Sequence, residues 1–329
     1  MSSRTFFKIG TFNLYNLALP DVYFYGDRKY SPETFAKKKN WIARQLINMN
    51  ADIVGFQEVF HVDALQQALK ESRMYPNAKV VAPLRTGDGP VVALVSRFPV
   101  LQHRVYEVFP AKANLTIGGA AIPVHRFSRA LLAVDVELRK GLECTIFVVH
   151  LKSKRAILPD GADRDDPIEL AKGEARALIQ RAAEATALRY ILMEYLRDRS
   201  YPVIVLGDIN DGHLAVTSQI VTGEPPFRKL PFEVKQKLWD VVLYHVKDIQ
   251  ARRSYGDFYY THIHNGHYES LDHIMVSQEL VSENPNHIGK VAYVSVLNDH
   301  LIDETLSRER VEDWQSDHGQ VVASIELRR

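Results

Sequence analysis

Pro202-Val203-Ile204-Val205-Leu206-Gly207-Asp208-Ile209-Asn210 is an apolar, strand-like run that stops abruptly in a glycine, a carboxylate and a carboxamide. The same construction recurs along the chain. Phe6 to Phe12 closes on Asn13, Ala51 to Phe56 on Gln57-Glu58, and Cys144 to Val149 on His150. Ser270-Leu271 leads into Asp272-His273, and Trp314-Gln315-Ser316 into Asp317-His318. Strands of one sheet system can carry their ends to a shared rim, however far apart they lie in sequence. Carboxylates, carboxamides and imidazoles gathered there suit a hard metal ion and a phosphate group.

The bulk composition bounds the rest. The chain has 329 residues, 46% hydrophobic and 25% charged, which is ordinary globular usage with ample length for a large core. Lys plus Arg (41) nearly balances Asp plus Glu (40), so there is no global positive field and any polyanion must be met by local patches. Cys144 is the only cysteine, which excludes an intrachain disulfide, and inside an apolar strand it reads as a small buried hydrophobe. No secretory signal is visible at the N-terminus, and no run approaches the roughly 18 apolar residues needed to span a bilayer. These features predict a cytoplasmic protein with no membrane insertion, and they leave its oligomeric state open.

Neither an internal repeat nor a Gly/Ser linker interrupts the chain, so a single domain over residues 1–329 is expected. Ser31-Pro32 has the form of a helix start, with Phe35, Ile42, Leu46 and Met49 at helical spacing behind it. Val62 to Ser72 reads as a second helix. Glu169 to Arg199 has helical periodicity, with Gly173 as the expected break, because one helix of that length would reach roughly 45 Å. A loop holding Pro225-Pro226 precedes a helix expected from Phe232 to Val246. Further strands are expected at Val91–Val95, Ala130–Val136, Val291–Val296 and Gln320–Leu327. Tyr255–Ile263 and Ser270–Val276 are read as strands joined by the turn His264-Asn265-Gly266-His267. Many strands with few helices fit two packed sheets better than a doubly wound parallel sheet. Neither a Gly-x-Gly-x-x-Gly nor a Walker-type loop is present.

The ordered segments Thr11-Phe12-Asn13, Gly55-Phe56-Gln57-Glu58, Val149-His150-Leu151-Lys152-Ser153, Leu206-Gly207-Asp208-Ile209-Asn210, Leu271-Asp272-His273 and Ser316-Asp317-His318 resemble the endonuclease/exonuclease/phosphatase superfamily, the deoxyribonuclease I-like proteins. The resemblance implies an α+β fold, a four-layer α/β/β/α sandwich with two central, mainly antiparallel sheets. It also implies hydrolysis of a phosphate ester with Mg²⁺, for which Mn²⁺ can substitute. On this resemblance Asn13, Glu58 and Asp317 are the metal ligands. Asp208 orients or deprotonates the attacking water, Asn210 holds a phosphate oxygen or a second metal position, and His150 donates to a non-bridging oxygen. His318, partnered by Asp272, acts either as a cation facing the transition state or as the general base. Each residue has a plainer reading alone: Asn13 and Asp208-x-Asn210 as turn residues, Glu58 as a solvated residue past a strand, and His273 as structural.

Two clusters are less tied to the motifs. Arg129 and Lys152 are candidate phosphate contacts. Arg126, Lys154 and Arg155 lie close by in sequence, although 152–155 also reads as a solvated basic turn next to Asp160, Asp163, Asp165 and Asp166. His262, His264 and His267 straddle a hairpin turn and read as a substrate-side loop or plain surface before a zinc site. His150 stands where abasic-site enzymes of the exonuclease III type carry Tyr, and no Tyr-Arg pair follows Asn210 as in inositol polyphosphate 5-phosphatases. The expectation is a nuclease acting on nucleic acid, with a phosphatase or phosphodiesterase for a small-molecule or lipid-linked phosphate as the alternative.

Overall fold

The computed structural model describes residues 6–83, 87–223, 229–251 and 259–328. The first half of the chain runs β1 (Phe6–Leu17), α1 (Pro32–Met49), β2 (Ile53–Val59), α2 (Val62–Ser72), β3 (Val80–Val81), β4 (Val91–Ser96), β5 (Val100–Val108), β6 (Thr116–Ile117), β7 (Ala120–Ala121), β8 (Arg126–Arg139) and β9 (Leu142–His150). The second half runs α3 (Pro167–Leu196), β10 (Val203–Asp208), α4 (Val216–Thr222), α5 (Phe232–Trp239), β11 (Leu243–His245), α6 (Val246–Ala251), β12 (His262–His264), β13 (His267–Glu269), β14 (Asp272–Ser277), β15 (Gly289–Leu297) and β16 (Gln320–Leu327).

Two six-stranded sheets carry the fold, ordered β15-β16-β1-β2-β4-β3 and β11-β14-β10-β9-β8-β5. Each is mainly antiparallel, with one parallel pair: β1 beside β2, and β9 beside β10. Between the sheets lies an apolar core that includes Ile9, Ile53, Leu94, Val148, Leu206, Ile274 and Ile325. Phe12, Ile42, Leu46, Phe56, Leu65 and Leu69 seal α1 and α2 onto the outer face of the first sheet. Phe147, Leu188, Leu192 and Val205 seal α3 onto the outer face of the second. The four layers follow from strands buried on both faces, which is why their sequences are continuous apolar runs.

Several local expectations hold in detail. Ser31 caps α1, its Oγ accepting from Thr34 N at 3.1 Å, with Pro32 in the first helical turn. Asn265 and Gly266, at φ +48° and +75°, make the expected tight turn, but it joins β12 to the short β13 and not to the strand read at Ser270–Val276, which is β14 of the second sheet. Gly207 sits at φ +137° in β10, and a Cβ there would run into the Val149 carbonyl of β9. Only glycine lets those two strands approach so closely just before Asp208.

Other expectations are corrected. Helix α3 is continuous through Gly173, because this glycine serves close packing: a Cβ would stand 2.9 Å from Ala156 and Leu158, and its carbonyl accepts from Ile157 N. The helix expected over Phe232–Val246 stops at Trp239, and Leu243–His245 is instead an edge strand paired with Met275–Ser277. β1 continues past Asn13, though its register with β2 breaks between Asn13 and Leu17, where Tyr15 and Asn16 take φ +47° and +59°. Of the strand read at Tyr255–Ile263, only its end falls in β12, and residues 255–258 lie outside the described residues, as do Pro225-Pro226 and residues 1–5.

Candidate active site

Register places five of the groups. β9 and β10 run parallel with His150 opposite Asp208, and β14 runs antiparallel to β10 with Asp272 opposite Asp208. Parallel β1 and β2 set Asn13 beside Gln57, one residue before Glu58. Neighbouring strand ends thus share one edge, and the packing of the two sheets brings both edges together.

The contacts close across the sheets. Asn13 Nδ2 donates to Asp208 Oδ2 at 3.3 Å, joining residues 195 positions apart. His150 Nε2 lies 3.4 Å from Asp208 Oδ2 and 3.9 Å from Glu58 Oε1. Asn210, at φ +58°, gives Asp208 Oδ1 its backbone N–H at 2.7 Å, and its Nδ2 reaches both Asp208 Oδ2 and the Leu151 carbonyl. The amide nitrogen is therefore shared between Asp208 and the Leu151 carbonyl. His318 Nδ1 donates to Asp272 Oδ2 at 2.7 Å. Ser316 Oγ donates to the Asn13 carbonyl and accepts from His318 N, which locks the segment before β16 onto β1.

Burial sets the charges. Burial pushes the Asp208 carboxyl up to about 7, with the Asp272 charge adding to it and His318 opposing it. Burial also lifts Glu58, and the neighbouring Asp317 carboxylate raises it further. For His318, burial alone would lower the pKa. The Asp272 carboxylate outweighs it, with help from Asp317 and Asp208, and holds the imidazole protonated well above its ordinary range. His150 is driven well below its ordinary value by burial and by the positive charges of Arg129 and His318, so it is a neutral imidazole.

The oxygen donors suit a hard divalent cation. Asp317 Oδ1 is buried without a hydrogen-bond partner. Glu58 spends Oε2 on Asn16 N at 2.9 Å, which leaves Oε1. Asn13 Oδ1 accepts from Tyr15 N at 3.0 Å and keeps a second lone pair. Two carboxylates and a carboxamide oxygen at this edge fit Mg²⁺ or Mn²⁺, since no thiolate lies among them.

The basic candidates divide. Arg129 donates to the Leu151 carbonyl at 3.2 Å, and its charge acts on both Glu58 and His150, so it belongs to this edge. Lys152 Nζ is turned into its own loop, bonded to the Ser153 carbonyl, Ser153 Oγ and the Arg155 carbonyl. Lys154 pairs with Glu269 at 2.6 Å, and Arg126 stands outside against Glu107. His273 faces away from the edge and bonds the Asp211 carbonyl at 2.8 Å.

Two groups, Glu184 and Lys38, were missed in the sequence, and His262 was read only as part of a substrate-side loop or plain surface. His262 is not plain surface: its ring centroid lies 4.9 Å from that of His318, and its Nδ1 donates to the Asp317 carbonyl at 2.9 Å. His264 and His267 of the same hairpin are exposed. Glu184, buried in α3, accepts from Ser128 N and from Lys152 N, and so anchors the segment after His150. Lys38 is wholly buried in α1, its Nζ 5.5 Å and 5.3 Å from the ring centres of Tyr15 and Tyr30 and without a hydrogen-bond partner. Helical phase was the available signal for Lys38, since it lies on the inward line of Phe35 and Ile42.

Two openings flank the edge. One, of about 730 Å³, is bordered by Lys154, Arg155, Arg164, Asn210 and His262. The other, of about 280 Å³, is bordered by Tyr15, His262, Asp303, Glu312, Asp313 and Asp317.

Comparison with known proteins agrees with this fold. A search of curated protein sequences finds no match. Among solved structures, a truncated TDP2 from Caenorhabditis elegans superposes with a TM-score of 0.57 at 15% identity, covering 98% of each chain. An endonuclease/exonuclease/phosphatase family protein from Bacteroides thetaiotaomicron gives 0.57 at 15%, covering 98% of this chain and 96% of that one. The human nocturnin catalytic domain with a bound sulfate anion gives 0.54 at 17%, covering 99% and 96%. At these identities the likeness is one of fold. The sequence model of the Endonuclease/Exonuclease/phosphatase family matches residues 10–318, nearly the whole chain, and the protein belongs to that family.

Proposed function

We propose that this protein is a Mg²⁺-dependent phosphodiesterase, with Mn²⁺ able to substitute, that hydrolyses nucleic-acid phosphodiester bonds by direct attack of water. We further propose that residues 1–329 act as one catalytic domain and that the protein works in the cytoplasm, as suits a chain whose lone cysteine is buried. No helix among the described residues is long and apolar enough to cross a membrane. The observation that carries the reading is the meeting of two differently charged pairs at one edge: Asp208 with neutral His150, and Asp272 with protonated His318.

Asn13, Glu58 and Asp317 would hold the divalent ion. When bound, the ion would offset the charge of the phosphate and favour deprotonation of water. The remaining chemistry belongs to side chains. Asp208 accepts the proton of the attacking water. Its raised pKa makes it a stronger base than an exposed carboxylate, and Asn13 and Asn210 fix its oxygens in place. His318 presents an N–H to a phosphoryl oxygen as charge accumulates there, and Asp272 keeps it protonated and aimed. Arg129 supplies a positive charge at the same edge. No covalent enzyme intermediate is needed.

A second reading, a phosphatase or phosphodiesterase for a small or lipid-linked phosphate, is favoured by the acidic opening beside the edge, since a polyanion threaded past Asp303, Glu312 and Asp313 would be repelled. Hydrolysis of plasmid, single-stranded DNA, RNA and a panel of small phosphate esters with Mg²⁺ separates the readings. The nuclease reading requires products with a 5′-phosphate and a 3′-hydroxyl. Turnover confined to the small esters favours the second reading, and a cyclic phosphate from RNA overturns direct water attack.

A further inference from the structure

We infer that His262, Asp317 and His318 form a second cation site, one that takes a nitrogen-preferring divalent ion of the zinc class rather than Mg²⁺. One ligand atom from each of these residues lies within 4.8 Å of the others. Both rings have one nitrogen already held. Nδ1 of His262 is committed to the Asp317 carbonyl at 2.9 Å, and Nδ1 of His318 to the Asp272 carboxylate at 2.7 Å. Nε2 is the nitrogen each ring has left to offer, and that of His318 must give up its proton to solvent when an ion binds. A backbone carbonyl behind one imidazole and a carboxylate behind the other are the outer partners that metal-binding histidines characteristically have. Asp317 contributes the third group, and its Oδ1 is buried with no partner.

The donor set separates this site from the neighbouring one. Two imidazoles and a carboxylate suit Zn²⁺, Co²⁺ or Ni²⁺, with a remaining position for water. Asn13 and Glu58 add only oxygens and suit Mg²⁺. Asp317 is common to both. An ion seated here takes Nε2 of His318 away from the phosphate, so ions of the zinc class act as inhibitors of the Mg²⁺-supported reaction. That inhibition rests on the catalytic role proposed for His318, whereas the site itself does not.

The test is a Co²⁺ titration of the metal-stripped protein, followed by visible absorption. Wild type is expected to give the intense band of a low-coordinate, nitrogen-ligated ion. His262→Asn should lose the band and weaken Co²⁺ binding at least about tenfold. Glu58→Gln and the exposed-neighbour variant His264→Asn should keep the band. A weak octahedral spectrum in wild type, or unchanged Co²⁺ binding in folded His262→Asn, overturns the site. Should His262→Asn fail to fold, zinc-edge X-ray absorption of the wild-type protein decides: two imidazoles support the site, and fewer overturn it. Zn²⁺ should also inhibit hydrolysis at saturating Mg²⁺, with His262→Asn needing at least about tenfold more. A Co²⁺ band without Zn²⁺ inhibition would uphold the site and overturn the role given to His318.

Discussion

The 2.7 Å hydrogen bond from His318 Nδ1 to Asp272 spans the two sheets, since Asp272 opens β14 in one and His318 stands just before β16 in the other. Together with the bond from Asn13 to Asp208 it ties the two edges to each other. The two side chains should therefore act as one unit. His318→Ala is expected to lower the single-turnover rate by about two to four orders of magnitude. Asp272→Asn should be strongly impaired too, because the imidazole loses its orienting anion. The double variant should be little worse than the weaker single one. Thermal unfolding of the same proteins shows whether any loss is one of folding; additive rate losses would dissolve the pair.

Metal removal should stop hydrolysis, and Mg²⁺ or Mn²⁺ should restore it. Glu58→Gln and Asp317→Asn each delete one anionic oxygen with little change of shape, so both should raise the Mg²⁺ concentration needed for half-maximal activity. Excess Mg²⁺ should recover much of their rate but none of that of Asp208→Asn. Equal defects in all three at high Mg²⁺ would refute this division of labour.

Glu184 tests how the edge is braced. Its carboxylate gathers Ser128 N, Lys152 N and Gln180 Nε2, at 2.9, 2.7 and 3.3 Å. Glu184→Gln would turn an amide N–H₂ toward one of those donors. A loss of about 1–3 kcal/mol is expected by denaturant unfolding, the cost of leaving a buried group unmatched. Unaltered stability would mean that the carboxylate is protonated in the native protein.

Lys38 gives a pH-dependent test. Burial lowers its pKa from 10.5 to about 7, against the pull of Asp317 and Glu58. The unfolded chain binds the proton more tightly, so the lysine costs stability in full below about pH 7, and the cost fades as the pH rises toward about 10.5. Lys38→Met should be more stable than wild type in chelator at about pH 6, by a few kcal/mol and at most about 5. The gain should vanish by about pH 10. A pH-independent difference between the two would mean that Lys38 holds its proton as tightly in the fold as in the unfolded chain.

The strand-end motifs were legible because each is local: an apolar run, then a polar residue whose position is fixed by the strand before it. Asn13, Glu58, His150, Asp208, Asp272 and His318 could be named without knowing which strands were neighbours. What escaped was whatever depends on a tertiary neighbour. Gly173 suggests a helix break until Ala156 and Leu158 are seen pressing on it. Leu243–His245 continues a helical pattern until β14 offers it hydrogen bonds. Lys152 looks as available as Arg129, but three carbonyl and hydroxyl oxygens of its own loop hold it back. His262 lies 55 positions from the Asp317 carbonyl it bonds, and no local pattern links the two.

The pairing of β1 with β16 sets the order in which the molecule becomes competent. β1 needs both β2, its parallel partner, and β16, and Ser316 reaches back 303 positions to the Asn13 carbonyl. Contacts of such long sequence separation form late and slowly. A nascent or partly folded chain would lack Asp317 and His318 at the edge even when Asp208, His150 and Asp272 are assembled. The proposed site would therefore be completed only once β16 closes onto β1.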